Sequence, residues 1–429
     1  MGTLLTVTFI ITAVIGAPIW IVLASSSLVS LNFGSATPLI VVAQRMFTST
    51  DSFPLLAIPL FMISGNLMEG GGISRRLIRF SEALLGWMPG GLGMVAILTC
   101  MFFAAISGSG PATVAAIGGI MIPEMVKAGY GKAFSAALLS VAGAIGVIIP
   151  PSIPMVNFGV AGSVSISTLF AAGFLPGILV GLSLMVVCYF AAKKYGYGMQ
   201  NRQPFSFRTL GKRFLEAFWA LLMPVIILGG IYGGIFTPTE AASVSVIYGF
   251  VVGVFGYREM KIRDLTQMLL NASKSTAMVM MIIAAASGFG WILTSERIPD
   301  SIATAIMALT SNKYLILLLI NLLLLFVGCI METTASIIIL TPILLPMVTK
   351  LGVHPIHFGI IMVVNLAIGM STPPLGVNLF VSCGIAKISI EENSKQIIKF
   401  LAANIIALLL ITYIEPISML VPQLMGLVR

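Results

Sequence analysis

Charge is the scarcest commodity in this 429-residue chain: Asp, Glu, Lys and Arg make up 9% of it, against 58% hydrophobic residues. A water-soluble surface takes roughly 25% charged residues, which excludes a soluble globular domain. Disorder is excluded by the same figures. The four cysteines, Cys100, Cys188, Cys329 and Cys383, stand singly inside apolar stretches, so they read as packing residues and not as a disulfide framework. The two histidines, His354 and His357, are three apart in a turn with no further ligand beside them, which makes no metal set. No Walker loop, HExxH or GxSxG occurs, so nothing points to ATP use or hydrolysis. What remains is an all-α polytopic membrane protein, in which each charge lies in a loop or needs a reason.

The net charge of +9 is not a nucleic-acid surface, because the basic residues fall between apolar spans. That is the pattern of cytoplasmic loops. The segment from Lys193 to Arg213 carries Lys193, Lys194, Arg202, Arg208, Lys212 and Arg213 without one acid. YREMKIRD, with Arg258, Lys261 and Arg263, and the cluster Arg75, Arg76 and Arg79 are two more such places. Met1 leads straight into an apolar run with no basic leader, so no cleavable signal peptide is expected.

A helix needs about 20 apolar residues to cross a bilayer. Runs of that kind lie near 168–192, 215–235, 240–257, 314–330 and 399–422. Two other regions are broken. Between Gly90 and Val160 short apolar pieces are separated by Ser107-Gly-Ser-Gly-Pro111, Pro123, Gly129-Tyr-Gly131 and Pro150-Pro151. Between Phe326 and Cys383 the breaks are Met331-Glu-Thr-Thr334, Pro342, Pro346, the turn 350–355 and Pro373-Pro374. Broken segments at corresponding places in two halves point to a transporter site at mid-membrane.

A fixed shift of 223 residues superposes the two regions. It pairs Pro123 with Pro346, Lys127 with Lys350, Gly129 with Gly352, Gly146 with Gly369 and Pro150-Pro151 with Pro373-Pro374, with ten identities over the 32 positions 120–151. Upstream, Ser64-Gly65 meets Ser287-Gly288, so the duplication covers roughly 52–162 and 275–385. The Arg75/Arg76 cluster follows the first Ser-Gly helix, whereas the basic YREMKIRD loop precedes the second. If both are cytoplasmic the copies are inverted, the arrangement that exposes one central site to each face in turn.

Irregular backbone survives in a bilayer only where it is buried in protein or lines a wet cavity. In a continuing helix Pro150 and Pro151 leave the carbonyls of Gly146 and Val147 without donors, and Pro373 and Pro374 do the same to Gly369 and Met370. Such carbonyls, with a hydroxyl or two, suit a sodium ion; the plainer reading is a proline kink. Ser107–Pro111 reads as a hairpin tip, with Ser109 or Gly110 as cap and Pro111 at the first helical position. A tip aims free N–H groups and a positive helix end at a carboxylate. Glu332 is the one acid in the apolar stretch from Tyr314 to Met347, either a functional intramembrane acid or a cap. Thr237, Pro238 and Glu240 form a capping-box pattern, for which a structural role suffices.

The segments GGIFTPTEAASVSVIYG (233–249), SGSGPATVAAIGGIMIPEM (107–125), IIPPSIP (148–154) and MSTPPLGVNLF (370–380) resemble the large membrane subunit of tripartite ATP-independent periplasmic (TRAP) transporters, over about residues 5–425. The resemblance implies a sodium-driven importer of organic acids in the bacterial inner membrane, with sodium as coupling ion and no other cofactor. It implies two partners: a small four-helix membrane subunit, here a separate chain, and a periplasmic substrate-binding protein. It also implies an elevator fold with two re-entrant hairpins and two broken helices. The expected divisions are scaffold at 1–89, transport halves at 90–162 and 313–386, further scaffold at 163–312, and a C-terminal helix at 387–429.

Carried over from the family, the sodium sites fall on Ser107, Ser109, Gly146, Ile149 and Pro151, and on Gly328, Gly369 and Thr372. The substrate is expected against Ser107, Gly108, Ser109, Thr334 and Ser336, with Arg45 as a second possible partner of the carboxylate beside its reading as an interfacial side chain. The overall look is similar to the sialic-acid branch, with C4-dicarboxylates or another carboxylate as the alternative. Of other classes, an ion channel or ion-pump subunit should show a polar stripe on long helices, whereas here polarity sits at helix breaks. An intramembrane enzyme lacks a nucleophile–base pair.

Overall fold

A computed structural model describes residues 1–198, 204–299, 301, 304, 312–374 and 376–428. Arg202 of the basic loop lies outside them. Helices carry the architecture, and among the described residues eight are long and apolar enough to cross a membrane.

Two long helices form the arms. Arm 1 is Ala57–Gly70, preceded by the single turn Phe53–Leu56, and arm 2 is Ile262–Ser295. They pack side by side in opposite directions. Gly70 at the end of arm 1 abuts Met268 near the start of arm 2. At mid-length the Thr276 hydroxyl lies 3.5 Å from the Met62 sulfur, and Leu55 shares a cavity with Ile283 at the other end. Arg76, just after arm 1, is bonded at 2.7 Å to Glu259, just before arm 2, and its guanidinium lies 3.8 Å from the Tyr257 ring centre. Those two basic clusters therefore share one face of the membrane, which makes the repeats inverted.

The third basic segment is on that face too. Phe80 packs on Phe214 at 5.9 Å, and Tyr197 stacks on Tyr130 at 5.2 Å. Under the positive-inside rule this face is cytoplasmic.

Each repeat then contributes a hairpin and a broken helix. Hairpin 1 descends as Gly91–Ser107 and returns as one continuous limb, Gly110–Thr113, a π turn at Val114–Gly118, and Gly119–Lys127. Hairpin 2 is Lys313–Ile330 and Thr333–Lys350. Gly108 turns the first tip with φ of +60°, and a Cβ there would stand 2.9 Å from the Pro151 carbonyl oxygen, so only glycine fits. Both tips share a cavity with Met62 and Val279, the midpoints of the arms. Each hairpin thus enters the membrane, stops half-way and returns to its own face.

The broken helices are Lys132–Gly143, with a 3-10 turn Ala144–Val147, followed by Ile153–Ala161, and Pro355–Gly369 followed by Val377–Ala386. Pro150-Pro151 and Pro373-Pro374 sit in the gaps, and both peptide bonds are cis. These are full interruptions and not kinks, and they satisfy most of the carbonyls expected to be free. The Ser152 hydroxyl donates to the Val147 carbonyl at 2.5 Å. In the second copy the Thr372 N–H donates to Gly369 at 2.9 Å and the Asn378 N–H to Met370 at 2.9 Å. The expectation of open carbonyls at Val147, Gly369 and Met370 is corrected: each gap folds into a turn that supplies its own donors.

One other expectation is corrected. The C-terminal span is Ile390–Tyr413 and not 399–422. Ser389 caps it by accepting the Glu392 N–H, so the charged first turn belongs to the helix, and Pro416 opens a separate helix, Pro416–Leu424. The helix Ile166–Tyr195, expected with the scaffold, packs on the first broken helix: a Cβ on Gly173 would stand 2.7 Å from the Ile148 carbonyl. The C-terminal helix packs there as well, through Phe400 on Phe134 at 5.4 Å. The three helices Gly2–Val14, Ile19–Gly34 and Ile40–Thr50 instead gather on arm 2 in a separate apolar cluster around Phe289.

Candidate functional site

Four helices begin at the cleft between the hairpin tips: the return limb of hairpin 1 at Gly110, hairpin 2's at Thr333, and the distal halves of the broken helices at Ile153 and Val377. The cleft has a free volume of about 110 Å³. Its floor is Val147, Ile153 and Met370, and Met62 and Val279 form the wall on the arm side. No Lys, Arg or His is among the described lining residues, and Glu332 is the one ionisable group. Positive potential in the cleft comes from helix N-termini alone.

The tips match in the position of the cap and in the hydroxyl bonded to its carbonyl. Ser109 is the N-cap of the first return limb and Glu332, 223 residues on, that of the second. Thr113 Oγ1 donates to the Ser109 carbonyl at 2.8 Å, and Ser336 Oγ to the Glu332 carbonyl at 3.0 Å. Pro111 takes an early position in its helix, where a missing N–H costs nothing.

On the far side of each tip lies a close backbone approach. A Cβ on Gly146 would stand 2.7 Å from the Ser109 carbonyl oxygen and 2.5 Å from the Thr113 hydroxyl. A Cβ on Gly369 would stand 2.5 Å from the Gly328 carbonyl carbon. Ser107 adds a hydroxyl 3.0 Å from that of Thr113, and Gly108 lies against the Pro151 carbonyl. Ser107, Ser109, Gly146 and Pro151 are thus brought together, with Ile149 next to them in the same gap. Gly328 and Gly369 meet likewise, and Thr372 follows on the next turn, its hydroxyl donating to the Ile368 carbonyl at 2.8 Å.

Of the residues expected to face the substrate, Gly108, Ser109 and Thr334 line the cleft. Ser107 lines an adjoining pocket that runs past Asn66 and Glu69 toward the cytoplasmic end of arm 1. Ser336 does not reach the cleft, because it is fully buried on the Glu332 carbonyl. Arg45 is not there either. It is exposed, with its guanidinium 5.8 Å from the Trp291 ring centre. Thr237 caps the helix Pro238–Val251 with Glu240 returning the bond to its N–H at 2.8 Å, away from the cleft. His354 caps the helix at Pro355, and His357 is buried between Ser418 at 2.6 Å and the Thr412 carbonyl at 3.2 Å.

Three residues of the site were not singled out from the sequence. Thr333 lines the cleft, 3% exposed, with a hydroxyl that has no partner. Asn157 donates to the Thr334 hydroxyl at 3.2 Å, tying the first broken helix to the second tip. Asn378 donates to the Ser140 carbonyl at 3.3 Å and lies against Gly110, tying the second broken helix to the first half. An amide in a wholly apolar stretch was the available signal.

The family described as tripartite ATP-independent periplasmic transporter, DctM component, matches residues 6–417. The isethionate TRAP transporter permease protein DctMQ of Oleidesulfovibrio alaskensis is 50% identical over 411 residues, covering 96% of this chain. This chain spans only 65% of that relative's length. The C4-dicarboxylate TRAP transporter large permease protein DctM of Pseudomonas aeruginosa is 44% identical over 386 residues, 90% of each chain. The sialic acid TRAP transporter large permease protein SiaM of Vibrio cholerae is 36% identical over 409 residues, 95% of each. In three dimensions the chain shares its fold with the crystal structure of the YdaH transporter of Alcanivorax borkumensis, at a TM-score of 0.61 and 17% identity over 99% of this chain and 98% of that one.

Proposed function

The chain belongs to the DctM family, the large permease components of TRAP transporters, multi-pass proteins of the bacterial inner membrane and not enzymes, and we propose that it imports a small organic anion driven by sodium. The observation that carries this reading is the cleft at the arm midpoints, rimmed by four helix N-termini and flanked by two matched backbone approaches. Helix N-termini suit the anion. The clusters Ser107, Ser109, Gly146, Ile149, Pro151 and Gly328, Gly369, Thr372 offer carbonyls and hydroxyls, the ligands that sodium takes.

The sialic-acid expectation gives way to smaller acids. The relatives named for isethionate and C4-dicarboxylates are 50% and 44% identical, against 36% for the one named for sialic acid. A small membrane subunit and a periplasmic binding protein complete the transporter. The moving body of an elevator comprises residues 90–162 and 313–386 together with the helices Ile166–Tyr195 and Ile390–Tyr413 that pack on them. The arms and the N-terminal helices stay behind.

Reconstitution with both partners in liposomes tests this. Uptake of labelled isethionate or succinate should follow an inward sodium gradient, and uptake unchanged with potassium in place of sodium would refute the coupling.

A further inference from the structure

The cleft is built on a two-fold repeat, yet its two ends differ. Ser109 and Glu332 are the same N-cap in the two copies, with the same hydroxyl, Thr113 or Ser336, bonded to the cap carbonyl. At tip 2 the cap is closed: Glu332 Oε2 accepts the Ala335 N–H at 3.1 Å, so the carboxyl group occupies its own helix end. At tip 1 the Ser109 side chain makes no capping bond, and the return limb, continuous over residues 110–127, opens at Gly110, which lines the cleft with an N–H that no side chain caps, while Pro111 after it carries none. Beside Glu332, the Thr333 hydroxyl is buried, lines the cleft and lacks a partner.

We propose that this chain selects a small monoanion bearing a hydroxyl group, held with its acid group at tip 1 and its hydroxyl between Glu332 and Thr333 at tip 2. The inference rests on the transport reading above and adds a polarity to it. The open helix end takes one negative charge. A second carboxylate at the other end would meet the Glu332 carboxyl group with no cationic side chain among the described lining residues. A hydroxyl there donates to Glu332 and accepts from Thr333, and so satisfies the unpaired buried hydroxyl that lines the cleft. Discrimination then comes from both an attraction and a repulsion.

Three-carbon acids differing in one group isolate the claim: 3-hydroxypropionate, propionate and malonate. The readout is the rise in Tm of the purified two-subunit permease, titrated in sodium, which needs no binding protein. 3-Hydroxypropionate should bind about tenfold more tightly than propionate, the worth of one good buried hydrogen bond, and more tightly still than malonate. Thr333→Val, which keeps shape, should bring 3-hydroxypropionate close to propionate. Glu332→Gln should narrow the gap to malonate. Malonate binding as tightly as 3-hydroxypropionate to the unaltered permease overturns the inference, as does an unchanged order in Thr333→Val should Glu332→Gln fail to fold. Failure of all three acids to stabilise the permease also overturns it, while the sodium-driven uptake assay decides the transport reading separately.

Discussion

Gly328 and Gly369 touch backbone to backbone: a Cβ on Gly328 would stand 3.1 Å from Gly369 Cα, and one on Gly369 2.5 Å from the Gly328 carbonyl carbon. The contact holds the second tip against the second break, as Gly146 and Ser109 do in the first copy. Gly369→Ala should force the two apart at about 1–3 kcal/mol, the usual result of overpacking. A lower Tm together with a right-shifted sodium dependence of uptake is expected; full activity with unchanged sodium affinity would show that the approach does not serve the ion.

Ser152 closes the first gap from both sides, donating to the Val147 carbonyl and accepting the Met155 N–H at 3.3 Å. Ser152→Ala removes a cap and leaves a buried carbonyl without its donor, for about 1–2 kcal/mol. Ser152→Thr should retain most of that stability. Thermal unfolding of the three proteins side by side reads the difference.

Asn157 and Thr334 join the halves across 177 residues of sequence. A double-mutant cycle of Asn157→Ala with Thr334→Val should return a coupling of about 0.5–1 kcal/mol in stability. Additive effects would mean that the bond contributes nothing.

The inverted topology puts Lys212 and Lys350 on opposite faces. With Cys329 changed to serine, the other cysteines being buried, Lys350→Cys should react with an impermeant maleimide added outside intact cells. Lys212→Cys should react only after permeabilisation. Labelling of both from outside would contradict the shared cytoplasmic face of the three basic clusters.

Arg45 is exposed beside Trp291 and outside the cleft lining. Arg45→Ala should therefore leave the concentration for half-maximal uptake unchanged within about twofold, the ordinary latitude for a surface site away from such features.

The breaks were legible because proline and glycine change what the backbone can do wherever they stand. Pro150-Pro151, Pro373-Pro374 and Gly108 mark the gaps and a tip without any knowledge of neighbours. Where the freed carbonyls find donors was not legible, since Ser152, Thr372 and Asn378 reach them only once the gaps fold. Thr333 was hidden for a related reason: it opens its helix, so no preceding turn offers its hydroxyl a carbonyl, and that start is set by the fold of the tip. Arg45 misled because a charge between apolar runs reads the same whether it faces a cavity or the interface. At Ser389 the charged first turn of the helix Ile390–Tyr413 hid a start that its cap would have marked.

Met62 and Val279 present only thioether and methyl surface to the tips. Among the described residues no hydrogen bond joins either arm helix to a hairpin or a broken helix. Sliding one body along the other would thus rupture nothing directional. Its activation barrier would be a matter of lubrication, set by how well flexible methionine refills each new mismatch of shape, and stiffer branched residues at position 62 would slow turnover before they weakened binding.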